Sequence, residues 1–214
     1  DHKIFSLKEN KSFSFSQIVL KLLSNPSIAS KSWIYKQYDS QVQSNTVFKP
    51  GESDAAVIRL RELNEKNKNK LFSGVAASVD CNSRWVFLDP FRGTIAAVAE
   101  SARNVSCVGA EPLAITNNLN FPSPENDIGY WQLSSSCNGI SEACKALKTP
   151  VTGGNVSLYN ESKNEKNDIT PIYPTPVIGM VGKIDNVNKA INSKWKNIND
   201  EIWLIGSYKS ETTI

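Results

Sequence analysis

Residues 151–160, VTGGNVSLYN, begin like a buried strand and then place two glycines and an asparagine where packing side chains are expected. Glycine inside a strand marks a bulge or a close approach by another backbone or a ligand. Gly153 and Gly154 can present backbone N–H groups to phosphate oxygens, and Asn155 offers an oxygen to a hard cation. Ser157 projects to the same strand face as Asn155. The pattern predicts either an anion and metal site or a structural bulge.

A second polar group lies within residues 111–121, which predict a strand followed by a polar loop. That loop contains Asn117, Asn118 and Asn120. Ligands of open α/β sheets bind where strands end. Asparagines that hydrogen-bond to their own backbone in a loop explain the same pattern. Both interpretations stay open on these residues alone.

The histidine content limits the chemistry that these residues can perform. The 214-residue chain has one histidine, His2, at its start. A Ser-His-Asp triad, a Cys-His pair and His-ligated zinc are therefore not expected. Neither a Walker loop nor a Gly-x-Gly-x-x-Gly after a strand is present. The sequence favours a hard cation held by oxygen atoms.

Charge and cysteine usage indicate the general class of protein. A net charge of +3 is too small to indicate nucleic-acid binding, and the Lys/Asn-rich runs at 64–70 and 160–168 are typical of solvated loops. No apolar run approaches the ~18 residues that span a bilayer, and no secretory signal is visible. The four cysteines contain no Cys-x-x-Cys pair. We therefore expect a reduced, cytoplasmic protein that does not enter a membrane.

Hydrophobic periodicity predicts strands and helices that follow one another along the chain. A short helix is predicted before Pro26, and long helices over about 90–108 and 130–147. Asp89 and Pro90 start the first long helix and Gly109 ends it. Strands are predicted in the segments 55–62, 71–80, 84–89, 111–121, 151–160, 175–184 and 200–207. Helices that connect strands indicate a sheet covered on one face, an α/β or α+β layer.

Both long helices carry an apolar stripe that predicts a buried face. The first stripe is rich in alanine, so that helix can lie close to a sheet. The second stripe contains Leu133, Cys137, Ile140, Cys144 and Leu147. Cys137 and Cys144 are therefore predicted to be core thiols.

Six segments, in this order, resemble phosphoribosylformylglycinamidine synthase, and specifically the second of the two homologous halves of its synthetase subunit or domain. The resemblance covers about residues 33–206, and the Lys/Asn-rich runs fall between its motifs. The segments are YDSQVQSNT (38–46), DAAVIRL (54–60), DCNSRWVFLDPFRGTIAAVAESARN (80–104), GAEPLAITNNLNF (109–121), GGNVSLYNE (154–161) and YPTPVIGMVG (173–182).

The resemblance implies an ATP-dependent carbon-nitrogen ligase of purine biosynthesis. ATP phosphorylates the amide oxygen of formylglycinamide ribonucleotide, and ammonia then displaces phosphate to give the amidine. By resemblance, Asn117 and Gly154 contact ATP, Asn155 binds Mg²⁺ and Ser157 contacts the ribonucleotide. Asn117 stands where relatives usually carry Asp, so this position lacks a carboxylate. The family's catalytic histidine belongs to the first half, and no catalytic residue is expected within this chain.

The resemblance also implies a fold and a set of partners. The fold is of the aminoimidazole-ribonucleotide-synthase type, a mixed sheet covered by helices on one face. A helical linker over 1–32 precedes this domain at 33–184, and 185–214 start a companion C-terminal domain that is incomplete here. Two such domains pair their sheets into a barrel. The implied partners are the first half of the same chain and a glutaminase subunit or domain that supplies ammonia. A small accessory subunit is a further partner that the resemblance allows.

Two other functions are compatible with the residues. A non-catalytic half with an auxiliary or structural nucleotide site would explain the missing carboxylate at Asn117. A nucleic-acid-binding module would rest on the Lys/Asn-rich runs alone, which lack the interleaved aromatic residues that stack on bases.

Overall fold

The short helix before Pro26 is present in the computed structural model, which describes residues 14–61, 72–165 and 168–206. It is α1 (Phe15–Leu23), and Ser14 and Gln17 form a capping box at its start. Together with α2 (Ser32–Tyr35) it belongs to the first of two units, Asp1–Asp39; the second is Ser40–Ile214. The boundaries of the three predicted domains stay predictions. Within the described residues, no helix is long and apolar enough to cross a membrane.

A five-stranded mixed sheet organises the second unit. The elements of this unit are β1 (Ala56–Arg59), β2 (Gly74–Asp80), α3 (Ser83–Leu88), α4 (Pro90–Cys107), β3 (Glu111–Asn120), α5 (Asp127–Leu147), β4 (Val151–Ser157), β5 (Glu161–Lys163), β6 (Ile169–Pro171) and β7 (Thr175–Ile184). The strand order of the sheet is β1-β2-β7-β3-β4; β3 and β4 run parallel, and the other neighbours are antiparallel. The strands β5 and β6 form a separate hairpin.

The helices cover one face of this sheet, as the fold class predicted. α4 packs on β2, β3 and β7 and also contacts α5. Asp89 accepts a hydrogen bond from the Arg92 backbone N–H at 2.9 Å, and Pro90 occupies the first turn, so the predicted helix start is confirmed. The core beneath α4 includes Val98, Val105, Ile115, Ile178 and Met180, all at most 1% exposed.

The other side of the sheet, which we call the open face, carries exposed apolar side chains on β1, β2 and β7. Val79 is 72% exposed, Ile58 49% and Val181 39%. Val79 pairs with Gly179 on β7, and none of the described helices of the second unit covers these positions. Exposed apolar area of this kind marks a surface that another protein or domain covers.

The predicted strand at 84–89 is wrong, because these residues form helix α3. The Asn82 side chain accepts a hydrogen bond from the Trp85 backbone N–H at 3.3 Å and caps this helix. Val86 is fully buried. Gly93 of α4 packs so closely that an added Cβ would lie 2.5 Å from the Val86 nitrogen. Aromatic and β-branched residues favour a strand locally, but helix packing overrides that preference here.

The predicted buried face of the second long helix is partly wrong. α5 starts at Asp127 and buries Gln132, Ser136, Gly139 and Ala143 in addition to Ile140 and Cys144. Gly139 allows contact with α4, since an added Cβ would lie 2.5 Å from the Phe91 carbonyl oxygen. Cys144 is buried as predicted, whereas Cys137 is exposed. Small residues at a helix contact cannot be identified from apolar spacing alone.

Three further predictions about strands need correction. Residues 117–120 form no loop, because β3 continues to Asn120 between β4 and β7. β4 is no buried strand, because it lies at the sheet edge and its residues 151–156 are exposed. Residues 201–206 contain no strand. The run at 160–168 includes parts of the β5–β6 hairpin, and most of the loop predicted between β1 and β2 lies outside the described residues.

Candidate functional site

The glycine-asparagine segment forms the exposed edge strand β4. It pairs in parallel with β3, and an extra residue, Thr152, lies between the pairs Ile115–Val151 and Thr116–Gly153. The Thr152 hydroxyl donates to the Ile115 carbonyl at 3.1 Å. The sequence therefore indicated a bulge correctly, but the bulge lies one residue before the glycines.

Asn117 and Gly154 are direct neighbours on the helix-covered face of the sheet. They pair across β3 and β4. The Asn117 side chain lies against the Gly154 Cα, and an added Cβ would lie 2.6 Å from the Asn117 carbonyl oxygen. A residue with a side chain therefore cannot replace Gly154 without moving β3. The structure places together the two residues that the resemblance assigns to ATP.

Asn155 lies on the opposite side of the edge strand, on the open face. It pairs with Asn118, and its amide nitrogen donates to the Asn118 side-chain oxygen at 3.2 Å. This contact directs the Asn155 amide group toward β3. Within the described residues, the Asn155 side-chain oxygen accepts no hydrogen bond. It is therefore available to a cation.

Ser157 lies two residues further along the same open face, opposite Asn120. The Ser157 hydroxyl donates to the Asn160 side-chain oxygen at 3.2 Å, and the Asn160 amide nitrogen donates to the Ser157 hydroxyl and carbonyl at 3.1 and 2.8 Å. The Asn160 amide nitrogen also donates to the Phe121 carbonyl at 3.2 Å. The Asn160 side chain therefore holds the Ser157 hydroxyl in place at the end of β4. The edge of this strand stays exposed.

The four predicted site residues therefore divide into two pairs. Asn117 and Gly154 lie on the helix-covered face, and Asn155 and Ser157 lie on the open face. Gly153, which precedes Gly154 in sequence, has nothing within 4 Å of an added Cβ. Because β4 is the edge strand of the sheet, a single ligand beside it can reach both faces.

A cleft of about 530 Å³ opens beside Asn117, between α5 and β4. Its lining is largely apolar, with Asn117, Ser141, Lys145 and Lys148 as polar members. Partial loss of solvent in the cleft raises the pKa of the Cys137 thiol, and burial raises the pKa of the Cys144 thiol, above the ordinary value. Both are therefore neutral near pH 7 and poor nucleophiles. The other lining residues are Ile140, Pro150 and Val151.

The open-face residues fit Mg²⁺ if the protein supplies one or two ligands and the substrate and water supply the others. The described residues contain no group of three or more His, Cys, Asp or Glu that could hold a metal by themselves. Mg²⁺ takes one or two protein oxygens and completes its shell with substrate phosphates and water. The Asn155 oxygen can supply one such ligand.

Sequence reasoning named Asn118 only as one member of the asparagine-rich group and gave Asn160 no role, although both orient predicted site residues. If residues 117–120 had been interpreted as a strand, alternation would have placed Asn118 on the face opposite to Asn117, but its pairing with Asn155 follows only from the strand register. A second cleft of about 440 Å³ near β1 and β2 was also missed. It includes Asp54 and Asp80; the Asp80 Oδ1 accepts from the Asn104 amide at 2.9 Å, while Oδ2 is buried and has no partner among the described residues.

Residues 52–184 match the family model of the AIR synthase related protein, N-terminal domain. The chain belongs to this family, whose fold agrees with the mixed sheet covered by helices on one face. It is 87% identical over its whole length to the phosphoribosylformylglycinamidine synthase subunit PurL of Prochlorococcus marinus strain MIT 9312, and it spans 28% of that relative. The resemblance noted from the sequence motifs is confirmed.

Solved structures of Thermotoga maritima proteins share this fold. The structure described as PurLQS is 35% identical, with a TM-score of 0.62, over 78% of this chain and 25% of that one. The structure of PurL complexed with ATP is 34% identical, with a TM-score of 0.61, over 76% of this chain and 24% of that one.

Proposed function

We propose that this chain is part of an ATP-dependent ligase that converts formylglycinamide ribonucleotide, ammonia and ATP to formylglycinamidine ribonucleotide, ADP and phosphate. The observation that carries the proposal is the exposed edge of β4. There, Gly153 and Gly154 carry no side chains, and Asn117 and Asn155 lie beside them on opposite faces of the sheet. The similarity to curated synthase subunits and to PurL complexed with ATP supports it.

Each site residue has a role that its environment permits. Asn117 and Gly154 contact ATP, and the Asn155 oxygen binds the Mg²⁺ that accompanies the nucleotide. Ser157, fixed by Asn160, contacts the ribonucleotide. Mg²⁺ neutralises the charge that develops on the transferred phosphoryl group. The histidine that acts in catalysis comes from the first homologous half.

The partners follow from the same proposal. The first half of the polypeptide completes the site, and a glutaminase supplies ammonia in the cytoplasm. The Thermotoga maritima assembly named PurLQS is consistent with further components, including a small accessory subunit. The apolar open face fits a second domain of the same type, because a packed domain would remove the exposed side chains of Val79, Ile58 and Val181 from water.

One observation favours a second candidate, in which this half holds an auxiliary nucleotide site. The side chain next to Gly154 is the neutral Asn117 instead of a carboxylate, so this position contributes no charge toward Mg²⁺. In that case the nucleotide would stabilise the protein without taking part in turnover.

A turnover assay on the full-length subunit tests the proposal. Formylglycinamide ribonucleotide and ATP are supplied with ammonium chloride in place of the glutaminase, and amidine and ADP are measured at several magnesium concentrations. Asn155→Ala should lower turnover and weaken magnesium dependence in the full-length subunit. Unchanged turnover with a lower thermal stability in ATP would favour the auxiliary site. Absence of ADP formation by the unmodified subunit would reject the ligase.

A further inference from the structure

Tyr159 adopts a backbone conformation that a tyrosine disfavours. It lies between β4 and β5 with a φ of 61°, in the left-handed region, where a bulky side chain is strained and glycine or asparagine is preferred. The residue is 58% exposed, so burial in the core does not offset this strain. Strained residues that a structure retains cluster at functional sites. The position therefore indicates that the tyrosine ring serves a contact other than packing within the described residues.

One hydrogen bond fixes the direction of this ring. The Tyr159 hydroxyl donates to Glu125 Oε1, in the loop before α5, at 3.1 Å. The Glu125 carboxylate raises the pKa of the Tyr159 hydroxyl above its ordinary value, so the hydroxyl remains a donor near neutral pH. Water competes for both exposed groups, and the net stabilisation by such a bond is small. The bond orients the ring but does not explain the choice of tyrosine.

The ring lies close in the chain to Ser157, whose hydroxyl contacts the ribonucleotide in the proposed function. The Phe121 backbone N–H donates to the Ser157 carbonyl at 3.0 Å, and the Asn160 backbone N–H donates to the Phe121 carbonyl at 3.2 Å. These bonds join the end of β4 to the loop that carries Glu125. The Ser157 hydroxyl, the Tyr159 ring and the Glu125 carboxylate therefore lie at the same end of β4.

Charge determines which part of a ribonucleotide this end of β4 favours. Within the described residues, Glu125 Oε2 accepts no hydrogen bond. A second carboxylate, that of Glu161, accepts from the Ser123 backbone N–H at 3.2 Å. Two carboxylates repel a phosphate group, whereas acidic side chains accept hydrogen bonds from ribose hydroxyls in dinucleotide sites. The hydroxyl groups of a sugar are therefore favoured here, with the phosphate directed away.

We propose that Tyr159 and Glu125 bind the ribose of the ribonucleotide substrate, with the ring against the sugar and the carboxylate accepting from its hydroxyl groups beside Ser157. This inference rests on the proposed function and adds the orientation of the substrate and the residues that select ribose. A 2′-deoxy analogue lacks one donor to a charged acceptor and therefore binds less tightly.

Calorimetric titration of the full-length subunit tests this site without turnover. The two probes are formylglycinamide ribonucleotide and its 2′-deoxy analogue, and the unmodified subunit should bind the first at least about tenfold more tightly. Glu125→Gln keeps an acceptor for the Tyr159 hydroxyl but replaces the other oxygen by an amide donor. It should raise the Kd for the ribonucleotide at least about tenfold and bring the two probes within about threefold of each other. Glu142→Gln, on the exposed surface of α5, is the matched control and should not change either Kd.

Tyr159→Gly separates the ring from the backbone strain. Glycine accepts the left-handed conformation, so the thermal midpoint should stay the same or rise, whereas the Kd for the ribonucleotide should rise about tenfold. Tyr159→Phe keeps the ring and loses the bond to Glu125, so its Kd should lie between those of the unmodified subunit and Tyr159→Gly. A lower thermal midpoint in Tyr159→Gly with an unchanged Kd would assign the ring to folding and overturn the inference.

The remaining outcomes distinguish this inference from the proposed function. If Glu125→Gln and Tyr159→Gly leave the Kd unchanged while the subunit still forms amidine, the ribose binds elsewhere and the ligase stands. Equal binding of both probes by the unmodified subunit would likewise reject the ribose contact alone. If the unmodified subunit neither binds the ribonucleotide nor forms amidine and ADP, both proposals are rejected.

Discussion

The Asn117 side chain occupies the space that a Gly154 side chain would need, and this contact joins strands β3 and β4 at the candidate site. It accounts for one glycine by packing, whereas packing gives no reason for its neighbour Gly153. Packing therefore explains the glycine at position 154, and we expect a ligand to explain the glycine at position 153.

Alanine substitutions at the two glycines should have opposite consequences. Gly154→Ala places a Cβ 2.6 Å from the Asn117 carbonyl oxygen, so it should destabilise the protein by about 1–3 kcal/mol and lower its thermal midpoint. Gly153→Ala should leave the thermal midpoint unchanged and weaken ATP binding. Thermal scans and calorimetric titration with ATP measure the two effects. A stable Gly154→Ala variant would contradict the packing assignment.

Removal of the Asn155 side chain should weaken magnesium use. Loss of a group that supports a metal site costs about 10- to 100-fold in affinity or activity. We expect Asn155→Ala to raise the magnesium concentration for half-maximal turnover by at least about tenfold. Asn138→Ala, on exposed α5 surface, is the control and should match the unmodified enzyme. An unchanged magnesium profile in Asn155→Ala would remove this residue from the metal site.

The open face should cause the isolated chain to self-associate. Val79 is 72% exposed on an uncovered part of the sheet, and such surfaces bind partners or aggregate. Val79→Lys should shift sedimentation toward a monomer. Leu88→Lys, at a position 66% exposed on α3, is the matched control and should not. A purely monomeric unmodified chain at high concentration would show that this face needs no partner.

Cys81 should make stability fall at alkaline pH. Burial, aided by the Glu100 carboxylate, raises the pKa of this thiol from 9.0 to about 11. The folded state therefore keeps a proton that the unfolded state loses, and the stabilisation is complete below pH 9 and is lost as pH rises through about 11. Urea unfolding between these pH values should show a smaller loss for Cys81→Ala. An equal loss in both proteins would exclude the thiol.

Local signals in the sequence predicted much of this fold. Asp89 with Pro90 at the start of α4, Gly109 after its end, and the apolar run of β7 depend on capping and on burial patterns that extend over a few residues. The bulge and the close approach at β4 were also visible, because glycine within a strand usually marks one of these two features. The residue types of the candidate site were therefore identified before their positions were known.

The tertiary structure alone decided which residues share a face and which strand lies at an edge. The residues at 84–89 become a helix because they pack against Gly93, and Asn117 to Asn120 become a strand because β4 and β7 satisfy their backbone on both sides. Strand pairing between distant segments sets the register, and register determines that Asn117 and Asn155 lie on opposite faces. The sequence alone predicted which groups bind a nucleotide and a cation, since side-chain chemistry is local. Their arrangement across one exposed edge depends on non-local contacts that no short pattern encodes.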